Sequence, residues 1–328
     1  MKILYCGSPK IACDALEILS MCEEIQIGGV LTNPATPQKR GKILQDTAVF
    51  QTAQKIRETR GMDFSIWTPE KLDENFCSQI RDENFDLLVC FAYGKIFKKA
   101  FLDLFALGGI NFHPSLLPRH RGPSPIPAAI MAGDEKTGVT VQRLAEKMDS
   151  GNILLQKEFP LNGTETAASV MDSVAKMAGD CLVEVILQLM DGTQREVPQN
   201  EDEATFCHLL RREDGKIDWA KTSKEIDGQI RGLNPAPVAF TNLKDRLLFI
   251  HDTTIFHGDD ALLAGKRPGE ILSFDKKNGV LIKAGDGAIA AKTLQWQQKN
   301  PLNFKDFANG NGRILGEILG DIPGEYID

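Results

Sequence analysis

The sequence predicts an α/β protein, built as a doubly wound parallel sheet and followed by a small β-barrel domain. From the first residues onward, short apolar runs of β type alternate with helical patterns, which is the order of elements in a parallel sheet with crossover helices. After about residue 206, brief β runs separated by Gly and Asp turns replace that alternation, as in small barrels. The length of 328 residues suits about two domains.

The elements of the predicted sheet follow one another with short connections. Ser8 is expected to cap the first helix, because its hydroxyl can accept a hydrogen bond from a free N–H of the first turn, and Pro9 suits the first helical position. The β-branched run at 139–141 and the apolar run at 152–159 indicate that the sheet ends in antiparallel strands. The other strands are predicted at residues 2–6, 25–31, 64–67, 86–92 and 109–113, and the helices at 9–21, 49–60, 69–81, 95–105 and 164–189.

The predicted domains are residues 1–190 and 207–328. Residues 191–206 between them are polar and show no helical or strand period, which is typical of a linker. In the second domain a short helix is predicted at 223–231, and strands are predicted at 247–251, 269–272, 280–283 and 288–294.

The composition excludes several classes of protein. Apolar residues make up 42% and charged residues 25%, which argues against disordered and fibrous chains. No uncharged stretch approaches the roughly 18 residues of a membrane span, and the first residues lack a secretory pattern, so we expect no membrane association and a cytoplasmic location. Seven cysteines without a C-x-x-C pair predict buried thiols and no metal site.

The most informative segment runs from residue 110 to residue 122, at the end of a predicted parallel strand. Asn111 and His113 are two positions apart, so their side chains share one face of an extended strand, and Pro114 keeps His113 extended. Open α/β sheets bind their ligands at this end of their strands. The pair predicts an amide donor and an imidazole side by side in a binding site. For these two residues alone, an ordinary strand end with a satisfied histidine is the alternative.

The string Asn-x-His-x-Ser-Leu-Leu-Pro-x-x-Arg-Gly, at 111–122, resembles the signature of the folate-dependent formyltransferases. The resemblance continues through 137–140 to the Asp-Ser-Gly turn at 149–151, where that family has its third catalytic group. Segments 216–219, 231–237 and 285–287 are similar to the C-terminal domain of the members that formylate methionyl-tRNA. The resemblance implies a Rossmann-like formyltransferase domain and an OB-like domain that binds tRNA. It also implies 10-formyltetrahydrofolate as the formyl donor and initiator methionyl-tRNA as the acceptor.

The expected catalytic residues are Asn111, His113 and Asp149. Moving a formyl group from a folate nitrogen to an amine passes through a tetrahedral oxyanion, which fixed hydrogen-bond donors stabilise without a covalent nucleophile. Asn111 can donate permanently, and His113 can donate when protonated, a form that a nearby Asp149 carboxylate would favour. Asp149 would also help to take the proton from the attacking amine. Taken alone, Asp149 also fits a turn-forming residue before Ser-Gly.

Two further sites are implied by the resemblance. Residues Ser115, Leu116, Leu117 and Pro118 are expected to form a rigid wall that presents backbone groups to the folate. Lys39, Arg40 and Lys42 lie in a Pro/Gly loop of a stretch without acidic residues, similar to the insertion that enters the acceptor end of tRNA in methionyl-tRNA formyltransferases. A solvated surface loop is the alternative for these cations.

Other functions remain open on the sequence alone. A formyltransferase acting on an amino sugar nucleotide would keep the catalytic trio and differ in the loop and the second domain. A non-catalytic tRNA-binding protein is a further alternative. The turn Gly7-Ser8-Pro9 lacks the G-x-G-x-x-G pattern of dinucleotide sites, so no nicotinamide cofactor is expected. No obligate protein partner is evident.

Overall fold

The computed structural model describes residues 1–38, 43–258 and 260–320. Contacts divide the chain into two units. The first contains Met1–Pro125, Lys136–Phe159 and Met171–His208, and the second contains Ile126–Glu135, Pro160–Val170 and Leu209–Asp328. Residues 191–206, which the sequence predicts to be a linker, belong to the first unit by their contacts. Within the described ranges, no helix combines the length and the apolar character that a bilayer crossing requires.

The first unit contains a seven-stranded sheet in the order β5-β2-β1-β6-β7-β8-β9, of which the first five strands are parallel and β8 runs antiparallel to β7. A separate hairpin pairs β3 with β4. The strands are β1 (Lys2–Cys6), β2 (Gln26–Leu31), β3 (Thr36–Gln38), β4 (Ile43–Gln45), β5 (Ser65–Trp67), β6 (Leu87–Cys90), β7 (Gly109–His113), β8 (Lys136–Arg143) and β9 (Ile153–Pro160). The helices up to residue 191 are α1 (Cys13–Leu19), α2 (Ala48–Arg60), α3 (Glu74–Asp82), α4 (Lys99–Leu102), α5 (Pro125–Ala132) and α6 (Ala167–Asp191).

One row of register partners crosses the carboxyl edge of this sheet. It runs through Trp67, Leu31, Cys6, Cys90, Asn111 and Gln142, each paired with the next. Directly paired residues point to the same face of a sheet, so the apolar part of the row and its two amides share one face. The apolar part is buried in a core with several phenylalanines: Phe76, Phe85, Phe97, Phe101 and Phe105. The amides of Asn111 and Gln142 therefore stand at the border of a rigid core.

The second unit contains an antiparallel sheet in the order β10-β11-β14-β13-β12, with β15 paired to β14. The segment 316–320 hydrogen-bonds to Ile271 on one side of this sheet, while the Gly320 N–H donates to the carbonyl of Asn242 in β10 on the other side. This segment gives the sheet its barrel-like closure. The elements are α7 (Ser223–Gly232), β10 (Ala239–Leu243), β11 (Arg246–Phe256), α8 (Asp260–Leu263), β12 (Ile271–Asp275), β13 (Gly279–Lys283), β14 (Ala288–Trp296), β15 (Leu302–Asn303) and α9 (Phe304–Asn311).

The predicted fold class is confirmed: a Rossmann-like parallel sheet is followed by an OB-like antiparallel domain. The cap predicted for the first helix is wrong. The first turn is a 3-10 helix, Lys10–Ala12, with no side-chain cap. The Ser8 hydroxyl instead accepts hydrogen bonds from the main-chain N–H and the side-chain amide of Asn33, at 3.1 and 2.9 Å. The serine therefore ties the turn after β1 to the turn after β2.

Candidate active site

The two residues singled out on β7 occupy the positions that their spacing predicts. Asn111 lies opposite Gln142 of β8, and His113 lies opposite Thr140. The side chain of Asn111 is half-buried and makes no hydrogen bond to any residue in the described part of the chain. A buried or half-buried amide normally has partners in the protein. This free amide is therefore available to a bound molecule.

His113 is enclosed, with a side chain only 5% exposed. Its Nε2 lies 2.9 Å from the carbonyl oxygen of His120, and because a carbonyl can only accept, Nε2 carries the proton. In the neutral ring, Nδ1 is then the free acceptor, and it lies 3.7 Å from Oδ1 of Asp149. Burial lowers the pKa of His113 below its ordinary value, and this outweighs the opposite effects of the Asp149 carboxylate and the His120 carbonyl. The Asp149 carboxylate favours the charged form of His113, as expected, but burial has the larger effect.

Asp149 completes the predicted trio, although it is distant from β7 in sequence. Its carboxylate is held from two elements: the main-chain N–H of Gly122 donates to Oδ2 at 2.8 Å, and the Nε2 of Gln142 donates to Oδ1 at 3.0 Å. Its side chain is 14% exposed. The backbone of Asp149 has a φ of 51°, in the left-handed region that side chains other than glycine rarely adopt. The structure thus brings Asn111, His113 and Asp149 together at one strand end.

Residues that the sequence did not single out surround Asp149. Gln142 is the first, and its position opposite Asn111 is visible only once the register of β7 and β8 is known. Gln199 is the second, and it lies in the segment predicted to be a linker, where nothing marked it. Arg121 is part of the motif, which assigns it no role; its guanidinium is fully buried and forms a bidentate ion pair with Glu201. These residues lie behind the Asp149 carboxylate.

The segment 115–118 is fixed by β8 and β9. The Thr140 hydroxyl donates to the carbonyl of Ser115 and accepts from the N–H of Leu117, and Gln156 donates to the carbonyl of Leu117 at 2.6 Å. The carbonyl of Pro118 accepts from the N–H of Thr205. Most backbone groups of this segment are thus engaged within the protein, which holds the segment in place. The N–H of Leu116 has no partner among the described residues, so it is the main-chain donor that this wall offers.

The predicted tRNA-binding residues Lys39, Arg40 and Lys42 lie outside the described residues. The strands on either side of them, β3 and β4, pair from Thr36 with Gln45 to Gln38 with Ile43. The stretch predicted to be a loop therefore includes part of a β-hairpin. In the described ranges, no group of three or more His, Cys, Asp and Glu side chains is arranged to hold a metal ion.

The site can perform two chemical tasks. The Asn111 amide can donate a hydrogen bond to a developing oxyanion, and the facing acceptors Nδ1 of His113 and Oδ1 of Asp149 can receive and hold a proton between them. No thiol or hydroxyl nucleophile is needed. Of the nearby thiols, Cys90 and Cys207 have pKa values raised mainly by burial, which disfavours the reactive thiolate.

Comparison with known proteins places this chain in a family. A family profile described as "Formyl transferase" matches residues 2–186, and one described as "Formyl transferase, C-terminal domain" matches residues 209–312. The methionyl-tRNA formyltransferase of Treponema denticola is 43% identical over 321 residues, covering 96% of this chain and 98% of that protein. The enzyme of the same name from Borreliella afzelii is 36% identical over 326 residues, covering 99% of this chain and 100% of that protein.

A solved structure is similar in fold. The N-formyltransferase from Helicobacter canadensis aligns with a TM-score of 0.64 at 19% identity, covering 89% of this chain and 98% of that one. The full-length matches show the family, and the solved structure agrees with its architecture. The chain therefore belongs to the formyltransferase family, among the methionyl-tRNA formyltransferases.

Proposed function

We propose that this protein transfers a formyl group from 10-formyltetrahydrofolate to the α-amino group of methionyl-initiator tRNA, with Asn111, His113 and Asp149 as its catalytic residues. The observation that carries the proposal is the free Asn111 amide beside the buried pair of His113 and Asp149, at the strand end of a chain that matches methionyl-tRNA formyltransferases over its whole length. A role in translation initiation would place the protein in the cytoplasm. The purified chain should need no protein partner.

Each residue of the trio has a distinct task in this proposal. Asn111 donates to the formyl oxygen as negative charge develops on it. Nδ1 of His113, backed by the Asp149 carboxylate, takes the proton that the attacking amine loses, and the ring then becomes a second donor to the oxyanion. When the oxyanion collapses, the bond between the formyl carbon and the folate nitrogen breaks, and the proton held at Nδ1 passes to that leaving nitrogen. Because Nε2 is held by the His120 carbonyl, only the Nδ1 edge changes its protonation. A free amine that is partly unprotonated near neutral pH needs no stronger base.

The folate is proposed to lie against residues 115–118. The free Asn111 amide and the unpartnered N–H of Leu116 are donors suited to the polar atoms of such a donor molecule, and the anchored wall keeps them in place. Lys39, Arg40 and Lys42 are proposed to contact the phosphates of the tRNA acceptor end.

The alternative acceptor is an amino sugar nucleotide. The Helicobacter canadensis enzyme was crystallised with folinic acid and dTDP-3-aminofucose, but at 19% identity it supports the fold alone. We test the proposal by incubating the purified protein with 10-formyltetrahydrofolate and either initiator methionyl-tRNA or a UDP-amino sugar. Formylation of the tRNA is expected. Formylation of the sugar alone would refute the proposed acceptor.

The catalytic assignment has its own test. Asn111→Ala and His113→Ala should each lower kcat by about a hundredfold, a loss on the order of 3 kcal/mol of transition-state stabilisation. Folate affinity, measured by equilibrium binding, should stay close to that of the wild type, because Asn111 acts mainly on the oxyanion and His113 on the proton of the attacking amine. A variant with nearly normal turnover would remove that residue from the proposed machinery.

A further inference from the structure

A chain of polar side chains runs from the surface to the back of Asp149. Glu201 accepts two hydrogen bonds from Arg121, at 2.7 and 3.1 Å. The same guanidinium donates to Oε1 of Gln199 from Nε and one terminal nitrogen, at 3.0 and 2.8 Å. Nε2 of Gln199 is within hydrogen-bond distance of Oε1 of Gln142, at 3.2 Å, and Gln142 donates to Oδ1 of Asp149. These five residues are called the relay below.

The two ends of the relay set the direction of its hydrogen bonds. A guanidinium has donors only and stays protonated, so the oxygen of Gln199 must face it and the amide nitrogen of Gln199 must face the opposite way. At the other end the Asp149 carboxylate can only accept, so the nitrogen of Gln142 faces the carboxylate and the oxygen of Gln142 faces Gln199. Arg121 is fully buried and its charge is matched by Glu201, whose pKa is held well below its ordinary value by hydrogen bonds from Arg121 and Lys147.

Gln199 also holds the backbone of the catalytic turn. Its Nε2 donates to the main-chain oxygens of Asp149 and Gly151, at 2.9 and 2.7 Å. The left-handed backbone of Asp149 is a conformation that the surroundings must maintain, because a residue with a Cβ does not favour it. The two hydrogens of this amide thus fix the turn, and its longer contact with Gln142 supports the side chain that donates to the carboxylate.

The segment that carries Gln199 is attached to the first unit on both sides of this residue. Val197 and Ile153 exchange two main-chain hydrogen bonds, at 2.8 and 2.9 Å. Further along, the N–H of Arg121 donates to Thr205, and the N–H of Cys207 donates to Arg121. A segment that the sequence predicts to be a linker therefore has a fixed backbone where it supplies its amide.

We propose that Gln142 and Gln199 are positioning residues of the formyl transfer, which keep the carboxylate of Asp149 facing Nδ1 of His113. This inference rests on the proposed function. Neither glutamine lies among the residues assigned to the reacting atoms, so both act through Asp149. Small displacements of a catalytic group cost a large part of the rate while leaving substrate binding largely unchanged.

The test uses the full-length protein and one substitution at three sites. Gln142→Met and Gln199→Met remove the relay amides while keeping a similar length. Gln194→Met is the matched control, because Gln194 is a half-buried glutamine of the same segment that donates to two main-chain oxygens, of Leu154 and Arg195, without contacting the relay. The measurements are kcat, the KM for the folate and for methionyl-tRNA, and the thermal denaturation of each variant.

We expect kcat to fall by about tenfold or more in Gln142→Met and Gln199→Met, with KM values changed by less than about twofold, while Gln194→Met keeps the wild-type kcat. An unchanged kcat in Gln142→Met or Gln199→Met, or an equal loss in Gln194→Met, would overturn the proposal. If Gln199→Met does not fold, the kcat of Gln142→Met still tests the proposal.

A second readout separates this inference from the proposed function. The pKa of His113, followed by NMR, should shift in Gln142→Met and stay unchanged in Gln194→Met. Only Gln142→Met removes a hydrogen bond to the Asp149 carboxylate that faces the ring. This measurement needs no substrate. If the wild type fails to formylate methionyl-tRNA, the function is wrong, and an unshifted His113 titration in Gln142→Met would independently refute the relay.

Discussion

At the scale of single residues, the two nitrogens of His113 have separate roles. Nε2 is bound to the main-chain oxygen of His120, which fixes the ring and its tautomer. Nδ1 faces Asp149 at 3.7 Å, a distance too long for a hydrogen bond between them. The neutral ring of His113 can therefore accept a proton at Nδ1. An imidazole in water would have no such preference between its nitrogens.

This arrangement predicts the direction in which the pKa of His113 responds to mutation. In the wild type, burial lowers the pKa below 6.5, while Asp149 and the His120 carbonyl raise it and the nearby His120 side chain lowers it. Asp149→Asn removes the largest opposing effect, so the pKa should fall further. NMR titration of the ring protons measures both values. A wild-type pKa above 6.5, or an increase in Asp149→Asn, would contradict this account of the site.

Single residues also show what a sequence can and cannot reveal. The spacing of Asn111 and His113 predicts a shared face because strand geometry is local. The protonation of His113 could not be predicted, because it depends on the burial of the ring and on a carbonyl seven residues later. Gln199 could not be found either, since its partners lie up to 78 residues away in sequence.

At the scale of elements, the turn after residue 118 connects the motif to the Asp149 carboxylate through Gly122. Its N–H donates to Asp149, and its φ of 119° is one that glycine tolerates and other residues do not. A Cβ at this position would also overlap the main-chain oxygen of Cys207. The glycine of the motif is thus required both by its backbone angle and by the closeness of the segment at 205–207.

Gly122→Ala should therefore lower kcat by about tenfold or more, because the turn must shift and its N–H must leave the carboxylate. The matched control is Gly61→Ala, which has a φ of 62° at the end of α2 but nothing within 4 Å of the new Cβ. Each variant should lose about 1 kcal/mol of stability from its backbone angle. Similar kcat values for the two variants would show that the position of this N–H is unimportant.

The predicted elements agree best with the structure where a short apolar run lies between two clear turns. The strands at 2–6 and 109–113 have the predicted ends, because each is an apolar run between turns. The helix predicted at 69–81 begins only at Glu74, where Asp73 accepts a hydrogen bond from the N–H of Phe76 and caps it. Of the helix predicted at 95–105, the structure forms only Lys99–Leu102. The sequence predicts the ends of exposed helices poorly, because several residues near each end could cap the helix.

At the scale of the whole molecule, the charge of the chain has to be reconciled with a nucleic-acid substrate. The net charge is −7, with 38 Lys and Arg against 45 Asp and Glu. In the second domain, residues 206–328 hold 17 of each kind, so the excess of acid lies entirely in residues 1–205. A protein of this charge can bind RNA only where cations are concentrated. Between Glu24 and Asp46 there is no acidic residue, and Lys39, Arg40 and Lys42 fall within that stretch.

The salt dependence of tRNA binding tests this location directly. If Arg40 contacts a phosphate, Arg40→Ala should weaken tRNA binding and reduce the slope of log affinity against log salt by about one unit, because one fewer counterion is released. The control is Lys136→Ala, which changes the net charge equally but removes a cation that forms an exposed ion pair with Glu158. Its slope should match that of the wild type. Binding measured at several salt concentrations gives all three slopes. If the slope of Arg40→Ala equals that of the wild type, the phosphate contacts lie elsewhere in the chain.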